Sequence, residues 1–344
     1  MTASPPDSGT VRASRRTRLW LFAPATLLLV MLIASSAGWL WVRGRLVSEM
    51  DARADALRGA GWTVAWSDRT LSGFPFRLKI ELAGLRVKAP GEHGWGAEAP
   101  RLEAQAYVAL PTHWVFVAPL GITILRPVGG PLQITGSGLC ASTAGMSRSP
   151  WRIVVEGEDL VFAIPAGAKP FSFTAMKRFE FALKPADETG GDAAVLLQVE
   201  GAKAEPASVV TRLTGDAPVT LAATGRLTHL AQAHGGWSDA VRAWSAAGGA
   251  LQVERVSGAG GRVKLDAVGG MLGVDAQGRL KGAIPLKLRQ SEAPLSPPSP
   301  PTTPAAQAAE QAQADALAAD VPLVFADGKM RLGPAVVGPA PVVR

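Results

Sequence analysis

Few residues in this 344-residue chain are of types that carry chemistry, and their spacing limits what they can do. Four histidines (His93, His113, His229, His234) and one cysteine (Cys140) are the candidates for metal binding and nucleophilic work. His229 and His234 are five positions apart, whereas a helix brings two ligands onto one face at a spacing of four. No carboxylate is placed to complete a metal set. Ser137 lies in "TGSGL", but a nucleophile elbow needs glycine two positions before the serine, and Thr135 stands there. "GWGAEA" (94–99) is a degenerate form of the dinucleotide fingerprint, yet it does not open a helix after a strand. "GAGG" (258–261) reads as a hairpin turn. Cys140 has no basic or histidine neighbour and reads as a small core-like residue. Tyr107 is the lone tyrosine and aromatics make up 6%, so there is no stacking platform for single-stranded nucleic acid. This reading assigns no catalytic residue, no metal ligand and no cofactor, and it expects no enzyme.

What remains is architecture. The formal net charge is +7, but residues 1–45 hold six arginines (Arg12, Arg15, Arg16, Arg18, Arg43, Arg45) against Asp7, a net +5, which leaves +2 for residues 46–344. The basic character thus belongs to one end and does not describe a nucleic-acid-binding face. A single cysteine excludes an intrachain disulfide. Gly (38) and Pro (27) are abundant, which points to many turns and strands.

Residues 19–42, "LWLFAPATLLLVMLIASSAGWLWV", carry no charge. At ~1.5 Å per residue they span ~36 Å, enough to cross a ~30 Å hydrocarbon core. Trp20 stands near one end and Trp39 and Trp41 near the other, as interfacial aromatics do. The arginine bias places the N-terminus in the cytoplasm and the bulk of the chain outside. A cleavable signal peptide ending in "SSA" at Ala37 is the rival reading. The apolar run continues through Trp39–Val42, however, and Leu46, Met50, Ala54 and Leu57 extend a helical stripe to Gly59 and Gly61.

Beyond Gly61 the period changes to two. In "SGFPFRLKIELAGLRV" (72–87), Phe74, Phe76, Leu78, Ile80 and Leu82 alternate with Pro75, Arg77, Lys79 and Glu81. The phase flips after Leu82, and Gly84 is the expected site of a bulge. Similar alternation recurs over 101–108, 179–184, 262–267 and 284–289. Short polar-faced strands bounded by Gly, Pro and Asp imply half-buried antiparallel sheet. "GGWSDAVRAWSAAGG" (235–249) reads as a helix capped by Ser238, with Trp237, Val241 and Trp244 on one face. The chain therefore divides into a disordered basic N-terminus (1–18), a transmembrane helix (19–42), an amphipathic helix (43–60) and a β-rich region (61–290). A Pro/Ala-rich linker with an exposed helix (291–320) and strands returning to the sheet (321–344) complete it. The expected class is mainly β: an anchor helix, then a large curved antiparallel or sandwich-like sheet with a few short helices.

"SGFPFRLKIEL" (72–82), "VDAQGRLKGAIPLKL" (274–288) and "FADGKMRLGPAVVGPAPVV" (325–343) resemble the bacterial envelope family catalogued as domain of unknown function 2125, and Gly73, Phe74, Pro75, Phe76 and Arg77 are the most specific part of the match. The resemblance implies an N-terminal membrane helix and a β-rich extracytoplasmic domain, and no activity. A weaker similarity to AsmA-like envelope proteins implies a curved sheet with an apolar inner face able to shield lipid, and a turn at Asp327-Gly328. Together these readings place the protein in a bacterial inner membrane with its bulk in the periplasm. Its partners would be the membrane itself and either lipid or another envelope protein. The apolar row from Phe74 to Leu82 is then either part of a core, in a scaffold, or the wall of a groove.

Overall fold

The computed structural model describes residues 15–91, 94–146, 150–187, 191–234, 236–290 and 318–343. The expected disordered segment through residue 14, the linker at 291–317 and His93 lie outside the described residues. Residues 15–18, expected to be disordered, belong to a helix, and residues 318–320, expected to end the exposed helix, form a strand.

The first element is α1 (Arg15–Gly59), 45 residues long, which joins the apolar run and the amphipathic stretch without a break. It is long and apolar enough to cross a membrane. Its end is a Schellman cap: Trp62 N–H bonds Leu57 O at 3.0 Å, Gly61 N–H bonds Arg58 O at 2.9 Å, and Gly61 takes φ +84°. Trp39, Leu46, Met50 and Ala54 repeat at near-helical spacing on the side that meets the sheet. Leu57 continues the stripe by spacing but, in the last turn of the helix, is exposed.

Among the described residues, twenty antiparallel strands then form one sheet. They are β1 (Thr63–Ala65), β2 (Asp68–Ser72), β3 (Arg77–Lys88), β4 (Gly96–Tyr107), β5 (Leu110–Val117), β6 (Ile122–Arg126), β7 (Gly130–Ala144), β8 (Arg152–Ala163), β9 (Phe173–Pro185) and β10 (Ala193–Ala204). After α2 (Val209–Thr214) come β11 (Val219–Leu227), α3 (Trp237–Ala246), β12 (Leu251–Gly260), β13 (Val263–Val268), β14 (Met271–Val274), β15 (Leu280–Ile284) and β16 (Leu286–Gln290). The last four are β17 (Ala318–Asp320), β18 (Leu323–Ala326), β19 (Lys329–Leu332) and β20 (Ala335–Pro339). Each row pairs with the next in chain order. Five rows are interrupted, so that β1/β2, β5/β6, β13/β14, β15/β16 and β17/β18 each share one row between two strands.

Local chemistry explains the turns. Asp327 and Gly328 both take left-handed φ (+52° and +69°) between paired Ala326 and Lys329, the geometry of a two-residue hairpin turn. The "GAGG" stretch is strand through Gly260, and the turn is Gly261–Arg262 instead. Helix α3 is capped by Gly236 rather than Ser238, which falls in its first turn. Val241 and Trp244 are buried, while Trp237 lies at the margin with its indole N–H donating to Val343 O at 2.6 Å.

Gly84 does not carry a bulge. It takes φ +58° opposite Pro100, and the β3–β4 register is unchanged on either side. The left-handed residue flips the facing of β3, so that even-numbered Leu78, Ile80 and Leu82 are buried before it and odd-numbered Leu85 and Val87 are half-buried after it. The irregularity continues across neighbouring rows at the same height. The β5/β6 row breaks at Ala118–Gly121, β7 slips register between Thr135 and Cys140, Asp159 takes φ +47° in β8, and β10 slips between Val199 and Ala202. These irregularities line up as a crease running across the strands, which bends the sheet about an axis perpendicular to them.

Two crease glycines separate backbone freedom from packing. Gly121 (φ +81°) and Gly138 (φ +62°) are both left-handed, but a Cβ at 121 would meet Ile134 O at 2.5 Å, whereas one at 138 would meet nothing within 4 Å. Gly138→Ala is expected to cost about 1 kcal/mol, from backbone strain alone. Gly121→Ala should cost more, because two rows must also part. Urea midpoints of the detergent-solubilised chain should fall in the order wild type, Gly138→Ala, Gly121→Ala. Equal midpoints for the two variants would contradict close packing at the crease.

Candidate functional site

The register of the sheet draws one continuous line across its inner face. Ile80 pairs with Ala104, Ala104 with Phe116, Phe116 with Ala141, Ala141 with Val155, and Val155 with Phe181. The line continues from Phe181 to Leu197, Ala223, Val256, Ala267 and Leu286. Every member is apolar. Ten interstrand steps of ~4.8 Å make this track ~48 Å long.

The two ends of the track are covered. Ile80, Leu82 and Ala104 pack under Leu46 and Met50 of α1. A bidentate pair fixes the helix there, with Arg69 donating to both carboxylate oxygens of Asp51 at 2.6 and 3.1 Å. The Arg69 hydrogen bonds hold the Asp51 carboxyl below its ordinary pKa. At the other end Ala267 and Leu286 join a cluster with Val253, Leu272, Ile284 and Phe325.

Between these ends the inner face is open. Phe116, Ala141, Val155, Phe181, Leu197 and Ala223 are all half-buried, and among the described residues no large side chain is completely enclosed. A cavity of about 360 Å³ lies along the crease. Its walls include Phe116, Ile124, Ile134, Val155, Phe162 and Phe179, with Leu160 and Met176 at its floor. This volume falls within the ~300–1,000 Å³ of small-molecule sites. Leu102 and Phe116 belong both to the cavity wall and to the cluster under α1, so the groove is continuous with the helix contact.

The outer face is polar over the first rows. Lys79 Nζ meets Glu103 at 2.8 Å, and Arg101 meets Glu81 at 2.8 Å. The Lys79 hydrogen bond holds the Glu103 carboxyl below its usual range. These pairs clothe the solvent side of the sheet and leave no charge facing the cavity.

The sequence row is only partly a row. Leu78, Ile80 and Leu82 are buried on the inner face, as expected of an alternating strand. Phe74 and Phe76 are not on it: they precede β3, in a turn with a cis Phe74–Pro75 peptide, and both are exposed. Gly73 (φ +100°) begins this turn, and Arg77 N–H closes it onto Gly73 O at 2.9 Å. Arg77 begins the strand, with its guanidinium over the Tyr107 ring at 5.1 Å. Sequence reasoning missed Phe116, Ala141, Val155, Phe181 and Leu197 as members of one line. Val155, Phe181 and Leu197 lie on stretches whose pattern reads as strand, Phe116 and Ala141 lie on none, and only the register aligns the five. Among the described residues no three His, Cys, Asp or Glu side chains come together to hold a metal ion.

Cys140 is itself a wall residue of the cavity, between Leu139 and Ala141. Its Sγ lies 3.9 Å from Glu156 Oε2. Burial first, and then the Glu156 charge and hydrogen bond, push the thiol above its ordinary pKa. The thiolate is therefore scarce near neutral pH and alkylation should be slow. Glu156→Gln removes the second cause, so the rate of iodoacetamide labelling at pH 8 should rise and its pH midpoint should fall. An unchanged profile would contradict this contact.

No curated protein and no solved structure matches this chain. A family model does, over residues 39–341, from the buried Trp39 of α1 to the residues just beyond β20. The matched region takes in the crease, the track and both covered ends. The chain therefore belongs to the family of uncharacterized proteins conserved in bacteria known as DUF2125.

Proposed function

We propose that this is a non-enzymatic, membrane-anchored envelope protein whose creased sheet holds the acyl chains of a lipid. The carrying observation is the open middle of the apolar track, with its cavity of about 360 Å³. From Phe116 to Val256 the track makes six interstrand steps, ~29 Å at ~4.8 Å each. Side chains of this size gain roughly 1.5–3 kcal/mol on full burial, so half-buried Phe116, Val155, Phe181 and Leu197 each leave at most about 1 kcal/mol to be gained from an apolar occupant. The closed ends favour a cradle for individual chains over a conduit along the sheet. The charge bias of residues 12–18 supports an N-terminus in the cytoplasm of a bacterial inner membrane, with the sheet in the periplasm.

Photo-crosslinking from neighbouring positions tests this reading. Phe162 faces the cavity, and Val161, one residue away, is exposed on the other face. Benzoylphenylalanine at position 162 of the full chain, irradiated in membranes, should yield adducts with phospholipid masses. The same probe at 161 should not. Absence of lipid adducts at 162, or equal labelling at both positions, would overturn the reading and leave the inner face as the core of a scaffold.

A further inference from the structure

The Gly73–Phe76 turn is the family-specific stretch that the groove does not use. Phe74 is 48% exposed and Phe76 73%, although both are large and apolar. The turn is held against α1: the Trp39 indole N–H donates to Arg77 O at 3.0 Å, and the Trp39 and Phe74 rings meet edge-on at 5.6 Å. The β4–β5 hairpin tip stands beside it, because Arg77 pairs with Tyr107, Tyr107 with Leu110, and Val108 N–H bonds Phe76 O at 3.0 Å. Tyr107 is 51% exposed and Leu110 55%. Two neighbouring turns thus present four exposed apolar or aromatic side chains at one end of the strands.

Their height is set by the helix. Trp39 lies twenty residues after Leu19, where the charge-free run begins. Twenty helical residues at ~1.5 Å cover ~30 Å, the thickness of the hydrocarbon core. Trp39 therefore sits at the boundary where hydrocarbon meets headgroups, and Phe74, in contact with it, sits at the same level. Cations ring this level: Arg43 lies over the Trp39 ring at 5.7 Å, Arg45 over the Trp41 ring at 5.7 Å, and Arg77 over Tyr107. Exposed aromatics flanked by arginines suit the interface, where rings enter the acyl boundary and guanidinium groups reach phosphates.

We propose that Phe74, Phe76, Tyr107 and Leu110 form a second membrane contact, inserting into the surface of the leaflet that α1 leaves. The occupant is the phospholipid interface itself. This contact fixes the first rows of the sheet against that leaflet, with the cavity two rows away from β3 at its Phe116 wall. It rests on the reading of α1 as an anchor, and it does not depend on lipid in the groove.

The test uses the full chain carrying Cys140→Ser, reconstituted in vesicles of phosphatidylethanolamine and phosphatidylglycerol. Single cysteines are placed at Phe76→Cys, Leu110→Cys, Val128→Cys and Ala34→Cys, and each is labelled with an environment-sensitive nitrobenzoxadiazole probe. Val128 is 70% exposed in the β6–β7 turn, at the opposite end of the strands, and serves as the aqueous reference. Positions 76 and 110 should show blue-shifted emission, quenching by lipids doxyl-labelled near the headgroup, and iodide quenching several-fold weaker than at 128. Iodide quenching at 76 and 110 equal to that at 128, with position 34 protected, would overturn the second contact alone. Position 34 also open to iodide would overturn the anchor reading and this inference with it. Two independent reporters guard against a substitution that perturbs its own turn.

Discussion

An antiparallel sheet one layer thick has two faces, and alternation makes one of them apolar. The strands of this protein obey that alternation row after row, so the structure must cover a long apolar surface or leave it open to something else. A closed barrel would hide the surface inside itself, and a second sheet would pack against it. Here the sheet is bent along a transverse crease, and α1 and the C-terminal rows cover its two ends. The middle stays uncovered, and its inner side chains stay half-buried. The remaining features follow from this constraint. Left-handed residues cluster along one line because a bend across strands needs them there. The helix runs on past its apolar stretch because Leu46 and Met50 cover Ile80 and Leu82. The ion pairs of β3 and β4 lie on the outer face, where the charges keep their water.

The helix and sheet are coupled at a few contacts. Trp39 joins the apolar run to the start of β3 through a hydrogen bond and a ring contact, and Asp51 joins the amphipathic stretch to β2 through Arg69. The helix is thus fixed to the sheet at two heights, ~18 Å apart for twelve residues at ~1.5 Å each. A helix joined at one point could swivel against the sheet, whereas these two contacts fix which face of the helix meets it.

Much of the architecture was legible in the sequence, for physical reasons that also explain the failures. A charge-free run of membrane length and a period of two are local signals, and both elements stand where those signals lie. Phe74 and Phe76 extended the alternation of Leu78, Ile80 and Leu82 on paper. A period of two cannot distinguish a strand from the turn that precedes it, and Gly73 with Pro75 were the residues that argued for the turn. Gly84 was recognised as the point where facing changes. Whether the change came from an extra residue or from a left-handed one opposite Pro100 depended on the partner strand. The track itself was not legible. Phe116, Ala141, Val155 and Phe181 lie on four different strands, and their alignment is a property of register, which turns and bulges set without leaving a pattern in any one segment.

The lipid reading rests on the open middle of the inner face. Native mass spectrometry of the full chain, released from detergent and compared with Ala141→Phe, tests it most directly. Ala141 lies between Phe116 and Val155 on the track, so a phenyl ring there fills the cavity while the anchor helix is unchanged. Phospholipid should be retained by the wild-type chain and lost, or sharply reduced, in the variant. Equal retention by both chains would assign the lipid to the anchor alone, and a wild-type chain that retains none would mean that the apolar face is simply core.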